Sequence, residues 1–224
     1  MEIIPRVHLV PNVIANPYLI MDADGLTLID AGLPGSAGKI LRYITEQGRA
    51  PSELKRIIIT HADLDHTGGL AALRKASQAR VYASAIEADA MASGRASRKL
   101  KPRSFLRRLL LAVAGRLVKA PAVPTDEIVQ EGQVLPVLGG LQVMQTPGQT
   151  PGHISLFSPS TGVLFTGDSI VTRGGRLVRS VPNNTWDEHQ ADLSARRQAA
   201  LGAQVVCPGH GPVVLDAADK FPKF

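Results

Sequence analysis

The chain has one cysteine, Cys207, in 224 residues. That excludes an internal disulfide and suits a reducing compartment. As a small residue ahead of the Pro208 turn, Cys207 is expected to be buried. No apolar run approaches the roughly 18–20 residues a membrane span requires. The first residues, Met1-Glu2-Ile3-Ile4-Pro5-Arg6, lack a basic leader region and a leader-like apolar core, so no signal peptide is expected and the cytoplasm is the expected location. No segment repeats. There is also no Ser-His-Asp order and no reactive-cysteine motif to supply a side-chain nucleophile. Acidic residues are absent between Asp89 and Asp126, where nine basic ones occur: Arg95, Arg98, Lys99, Lys101, Arg103, Arg107, Arg108, Arg116 and Lys119. The net charge of +6 belongs to that block, because the remainder carries sixteen basic against nineteen acidic residues.

What is present is concentrated at Thr60-His61-Ala62-Asp63-Leu64-Asp65-His66-Thr67-Gly68-Gly69. Two imidazoles and two carboxylates follow the apolar run Ile57-Ile58-Ile59, which reads as a buried strand. The cluster then sits on a loop at the strand's end, where chemistry is usually placed, and Gly68-Gly69 opens a helix at Leu70. Imidazole suits zinc and iron while carboxylate suits harder ions, so the set points to a divalent metal.

With its companions this stretch resembles the first motif of the metallo-β-lactamase superfamily of metal-dependent hydrolases. Leu28-Ile29-Asp30-Ala31-Gly32 looks like the early aspartate strand. Thr146-Pro147-Gly148-Gln149-Thr150-Pro151-Gly152-His153 looks like the next histidine segment. Leu164-Phe165-Thr166-Gly167-Asp168 looks like the bridging-aspartate strand, and Pro208-Gly209-His210-Gly211-Pro212 like the last histidine loop. Five motifs in order span Asp30 to Pro212. The resemblance implies an α/β fold, a four-layer αββα sandwich of two mixed β-sheets flanked by helices, formed by residues 1–224 as one domain. It implies one metal held by His61, Asp63 and His153 and another by Asp65, His66 and His210, with Asp168 bridging them and Asp30 holding the ligand loop from behind. Asp63 departs from the family's usual histidine. A carboxylate there moves that half from a simple zinc preference towards iron or manganese. Two divalent ions are expected, zinc foremost.

The rest of the chain alternates strands and helices, as an α/β protein should. Strands are expected at Ile3–Val10, Tyr18–Ile29 with a hairpin at Asp24-Gly25, Arg80–Ala83, Val134–Val137, Leu141–Gln145, Ile154–Phe157, Val163–Phe165 and Val205–Val206. Helices are expected at Ser36–Gln47, Leu70–Ala76, Ala85–Ala92 and Ala191–Leu201. His8 reads as a surface or half-buried strand residue, His189 as exposed, and Arg173, Arg176 and Arg179 as solvated loop charge. No ligand assignment is attached to Gln149. Residues 93–124 form a basic insertion, with an amphipathic helix expected over Ser104–Lys119. It is read as a covering helix, as a lid walling an apolar substrate pocket, or as a membrane-surface element. Nucleic acid is disfavoured because no aromatics interleave the basic residues.

The activity implied is hydrolysis of a carboxylic ester, thioester or lactone by a metal-bridging hydroxide, as in relatives resembling glyoxalase II and acyl-homoserine lactonases. Asp65 is then the candidate general acid and Asp168 the bridging carboxylate. The expected partner is a small molecule carrying an acyl chain, and an oligomer is compatible with the sequence. The alternatives are a phosphodiesterase or nuclease, a di-iron redox protein, since di-iron relatives carry a carboxylate at position 63, and a binding protein without metals.

Overall fold

The computed structural model describes residues 1–98 and 121–221. The helix expected over 104–119 lies outside them. The first sheet runs in chain order: β1 (Glu2–Ile4), β2 (Val7–Leu9), β3 (Tyr18–Asp22), β4 (Gly25–Ile29), β5 (Leu54–Ile58), β6 (Arg80–Ala83) and β7 (Glu127–Ile128). The first four strands pair antiparallel, and β4 to β7 pair parallel. Between these strands lie α1 (Ala37–Glu46), the one-turn α2 (Leu64–Thr67), α3 (Leu70–Ser77) and α4 (Ala85–Ser93). The second sheet contains β8 (Val134–Leu135), β9 (Leu141–Gln145), β10 (Ile154–Ser158) and β11 (Val163–Gly167). A separate hairpin, β12 (Ile170–Arg173) with β13 (Arg176–Arg179), precedes α5 (Glu188–Ala199). The chain then returns to the second sheet with β14 (Val205–Pro208) and β15 (Val214–Leu215).

Alternation along the strands sorts side chains into layers. Leu28, Ile57 and Ile59 face the helices with Ile40, Ile44, Leu70 and Leu73. Ile29 and Ile58 face the other way, against Val143, Leu156, Phe165 and Cys207 of the second sheet. The far face of that sheet packs Leu164 and Val206 against Ala195 of α5 and Ile170 and Leu177 of the hairpin. The order is therefore helix, sheet, sheet, helix, as the resemblance implied. Tyr18 and Phe165 meet edge to face between the sheets, ring centres 5.4 Å apart. Burying a ring of this kind contributes about 1.5–3 kcal/mol.

Local departures from the expected elements have local causes. The strand expected over Ile3–Val10 is interrupted at Pro5-Arg6, a turn with Arg6 at φ 72°, since proline has no N–H to give a ladder. The ligand loop is itself partly helical, because α2 lies within it. Residues 170–179 form a hairpin turning on Gly174-Gly175. His8 is buried, its Nδ1 3.0 Å from the Tyr43 hydroxyl. Arg179 is a paired residue, bridging Glu188 and Asp192, whereas Arg173, Arg176 and His189 are exposed. Among the described residues no helix is long and apolar enough to cross a membrane.

Candidate metal centre

All seven residues of the motif set come from one edge of the sandwich. Parallel strands point their carboxyl ends the same way, and open α/β sheets bind ligands there. Asp30 leaves the end of β4, His61 the end of β5, Asp168 the end of β11 and His210 the end of β14. His153 precedes β10, which runs antiparallel to β11 and therefore starts at the same edge.

Three histidines are held from behind. His66 Nδ1 donates to Asp30 Oδ2 at 2.8 Å. Asp30 also accepts from the Thr60 amide at 2.9 Å and the Thr60 hydroxyl at 2.8 Å. With its proton committed to Asp30, Thr60 Oγ1 accepts from His61 Nδ1 at 3.0 Å. Thr146 Oγ1 lies 2.8 Å from His153 Nδ1. Such backing fixes tautomer and ring direction in metal sites. Asp30 itself sits at φ 61°, a left-handed conformation that aspartate tolerates better than most residues.

The Nε2 atoms consequently face one another across a small space. His61 Nε2 lies 3.9 Å from Asp168 Oδ2, and His66 Nε2 lies 3.4 Å from Asp168 Oδ1. His210 Nε2 is 3.5 Å from Asp168 Oδ1 and 3.1 Å from Asp65 Oδ2. The His61 and His153 rings are 5.1 Å apart, centre to centre. His61 Nε2, His66 Nε2 and Asp168 Oδ1 are all buried with no hydrogen-bond partner among the described residues. Orphaned buried polar atoms are rare in proteins and call for an ion or a water. Two trios have ligand atoms within 4.8 Å of one another, His61 with His66 and Asp168, and Asp65 with His66 and His210. The donor set therefore fits a divalent cation. Glycine makes the approach feasible. A Cβ on Gly209 would stand 2.6 Å from Asp168 Oδ1, and one on Gly167 would stand 2.7 Å from His153 Nε2.

The remaining two residues are differently engaged. His153 Nε2 accepts the Asp168 amide at 3.0 Å. Asp63 lies 3.4 Å from His61 Nε2, but both its oxygens have protein donors. Arg98 Nη1 donates to Oδ1 at 2.5 Å and Gln149 Nε2 to Oδ2 at 3.1 Å.

Charge follows from this arrangement. Burial opposes protonation of His66, yet Asp30 and Asp168 on either side hold its pKa well above the usual value. Burial, reinforced by His61, drives the pKa of His153 well down. Burial would raise Asp63, Asp65 and Asp168, and hydrogen bonds and charge from neighbouring groups outweigh it in each case: His61 and Arg98 at Asp63, His210 and His66 at Asp65, His66 and His61 at Asp168. The three carboxylates are therefore anions facing a cluster of imidazoles. The bond to Asp65 raises the pKa of His210.

Three further residues carry the site, Arg98 and Glu87 outside the motifs and Gln149 inside one but with no ligand role expected of it. Arg98 and Gln149 hold Asp63. Glu87, fully buried on α4, accepts from the Ala62 and Gly152 amides and from the Thr150 and Ser97 hydroxyls. It ties the ligand loop, the His153 loop and the chain leaving α4 to one carboxylate. Cys207 lies fully buried in the inter-sheet core, and burial pushes its thiol pKa up. The native protein should therefore resist a thiol reagent until it is unfolded in denaturant. Rapid modification of the native thiol would contradict this packing.

Beside the centre opens a cleft of about 950 Å³, whose lining includes Asp65, Asp168 and His210 together with Leu64, Leu70, Met91, Val123 and Val171. Both described ends of the basic insertion contribute to it, through Gly94, Arg95, Ala96 and Arg98 and through Pro121 and Val123.

A four-layer sandwich with a His/Asp cluster at one edge defines a metallo-hydrolase architecture. The chain belongs to the metallo-β-lactamase superfamily, whose family model matches residues 10–210. It is 32% identical over 215 residues to a probable metallo-hydrolase, YflN, of Bacillus subtilis, an alignment covering 88% of this chain and 81% of that one. It is 32% identical over 196 residues to a hydroxyacylglutathione hydrolase of Cereibacter sphaeroides, covering 86% of this chain and 61% of the relative. Among solved structures, a metallo-β-lactamase-family protein of Thermus thermophilus superposes with a TM-score of 0.74 at 26% identity, covering 98% and 78% of the two chains. A metallo-β-lactamase of Cronobacter sakazakii with a HARLDQ motif gives 0.73 at 27% identity, covering 93% and 79%. Proteins of this superfamily bind divalent metals, typically zinc.

Proposed function

We propose that the protein is a metal-dependent hydrolase of carboxylic esters, thioesters or lactones. His61, Asp63, Asp65, His66, His153, Asp168 and His210 form its metal-binding set, with room for two divalent ions, zinc foremost and iron or manganese suited to the half with Asp63. The observation that carries this reading is the convergence of three buried atoms without a hydrogen-bond partner among the described residues, His61 Nε2, His66 Nε2 and Asp168 Oδ1, beside a partly apolar cleft. Divalent ions there would activate water at neutral pH and polarise an acyl carbonyl.

The chain's own residues do the rest. Asp168 holds negative charge between His61, His66 and His210. Asp65 and His210, their side chains 31% and 38% exposed, stand where the centre meets the cleft. Asp65 Oδ2 is the atom proposed to take a proton during attack and return it to the leaving oxygen or sulfur. Leu64, Leu70, Met91, Val123 and Val171 offer an acyl chain a dry wall, and each methylene buried there adds up to about 0.8 kcal/mol, or about fourfold in binding. The ends of the 93–124 insertion on this wall support a part for that segment in substrate selection. The likeness to hydroxyacylglutathione hydrolases, of which the chain spans 61% of the length in the Cereibacter sphaeroides case, favours a thioester among the three.

The test is a substrate panel on protein of measured metal content: acyl thioesters, lactones, aryl esters and an activated phosphodiester. The expected result is metal-dependent turnover of the acyl compounds, faster with longer apolar acyl groups. Turnover of the phosphodiester alone would replace this reading with the phosphodiesterase one.

A further inference from the structure

The two halves of the centre are not equivalent, and the difference lies in a residue outside every motif. Arg98 follows α4 at the start of the basic insertion, yet its side chain is only 3% exposed. It enters the protein to place Nη1 2.5 Å from Asp63 Oδ1, while Gln149 occupies Oδ2. A guanidinium is rarely buried unless it is paired, and here it forms a charge-assisted bond with the carboxylate proposed as a metal ligand. Its tether is short and anchored. Ser97 donates to Glu87 Oε1 at 3.0 Å, and Glu87 Oε2 accepts the Ala62 amide, one residue before Asp63. Arg98 Nε, by contrast, is buried with no partner among the described residues. Among the described residues, no arginine or lysine pairs with Asp65, Asp168 or the histidines beside them.

We propose that Arg98 is a built-in counter-cation that competes with a metal ion for Asp63. The half formed by Asp65, His66, His210 and Asp168 then fills first, and the half containing Asp63 fills only when Arg98 withdraws. A divalent ion and a desolvated guanidinium repel each other, and both require the same carboxylate. Each binding event therefore weakens the other by a reciprocal factor. This inference rests on the metal-dependent reading above and adds to it an order of filling and the residue that sets it.

The test is calorimetric titration of zinc into chelator-stripped protein, with bound zinc counted after dialysis. Wild-type protein should take one equivalent tightly and a second more weakly. Arg98→Gln should leave the first event in place and tighten the second by about tenfold to a hundredfold, the usual span of such couplings. Arg98→Lys keeps the charge but loses the fork over the carboxylate. It should give a smaller shift, and it stands in if Arg98→Gln fails to fold. In an Asp63→Asn background, Arg98→Gln should have no further effect on the second event, which isolates the pair. Two equal events in wild-type protein, or a second event unmoved or weakened in Arg98→Gln, would overturn the competition and leave the metal-dependent reading standing. Zinc binding in neither protein would overturn both.

Discussion

Asp168→Asn is expected to lower kcat/KM on the preferred acyl substrate by at least about a hundredfold, with a parallel loss of bound metal. The asparagine is nearly isosteric, so the Asp168 amide can still reach His153 Nε2. What is lost is one negative charge at the place where imidazoles crowd together. Asp168 Oδ1 stands 3.4 Å from His66 Nε2 and 3.5 Å from His210 Nε2, and Oδ2 stands 3.9 Å from His61 Nε2. Asp65 approaches His66 and His210, and Asp63 approaches His61, but the ion pairs of Asp168 span all three histidines. A neutral amide is a weaker ligand, and its NH₂ group, a donor with no lone pair to offer, cannot hold a cation on that side. Metal content and steady-state kinetics on the same preparation decide the matter. Full metal with activity within tenfold of wild type would remove Asp168 from the chemistry.

Much of the fold was legible because period-two alternation and glycine turns are local signals. Ile57-Ile58-Ile59 could be read as a buried strand from its composition, and Asp24-Gly25 as a hairpin from turn chemistry alone. The motif residues were legible for a related reason, since dense ligand types at strand ends form an unusual local pattern. The partners that hold them are harder to see because their signal is three-dimensional. Arg98 is one of nine similar cations in its block, and nothing local says that it turns inward against Asp63. Gln149 sits inside a motif, but its amide acts on a residue 86 positions away. His8 reads as a surface or half-buried strand residue, and only the fold brings Tyr43 to it. Glu87 follows Ser84 by three residues, a spacing that ordinarily signals a helix-capping pair. The Ser84 hydroxyl does accept the Glu87 amide, but the carboxylate turns away from the helix end and into the loops.

That turn makes Glu87 the residue outside the motifs with the largest expected effect on stability. Glu87→Ala should destabilise the protein by about 3–5 kcal/mol, read as the midpoint shift in urea unfolding. Four donors lie within hydrogen-bond range: the Ala62 amide at 2.8 Å on Oε2, and the Thr150 hydroxyl at 2.6 Å, the Gly152 amide at 3.0 Å and the Ser97 hydroxyl at 3.0 Å on Oε1. The two amides belong to buried loops and cannot rotate to other acceptors, so alanine would leave them desolvated and unpaired at roughly 1–3 kcal/mol each. Glu87→Gln separates charge from shape. Its carbonyl can still serve the three donors on one side, but its NH₂ then faces the Ala62 amide, donor against donor. The expected cost is smaller, about 1–3 kcal/mol, and it is confined to the ligand loop. Amide hydrogen exchange should therefore accelerate at Ala62 more than at Gly152 in Glu87→Gln, and at both in Glu87→Ala. Zinc affinity should fall in step with the exposure of Ala62, because that amide lies between His61 and Asp63 in the chain. Unchanged protection at Ala62 in both variants would show that the ligand loop keeps its shape without this carboxylate.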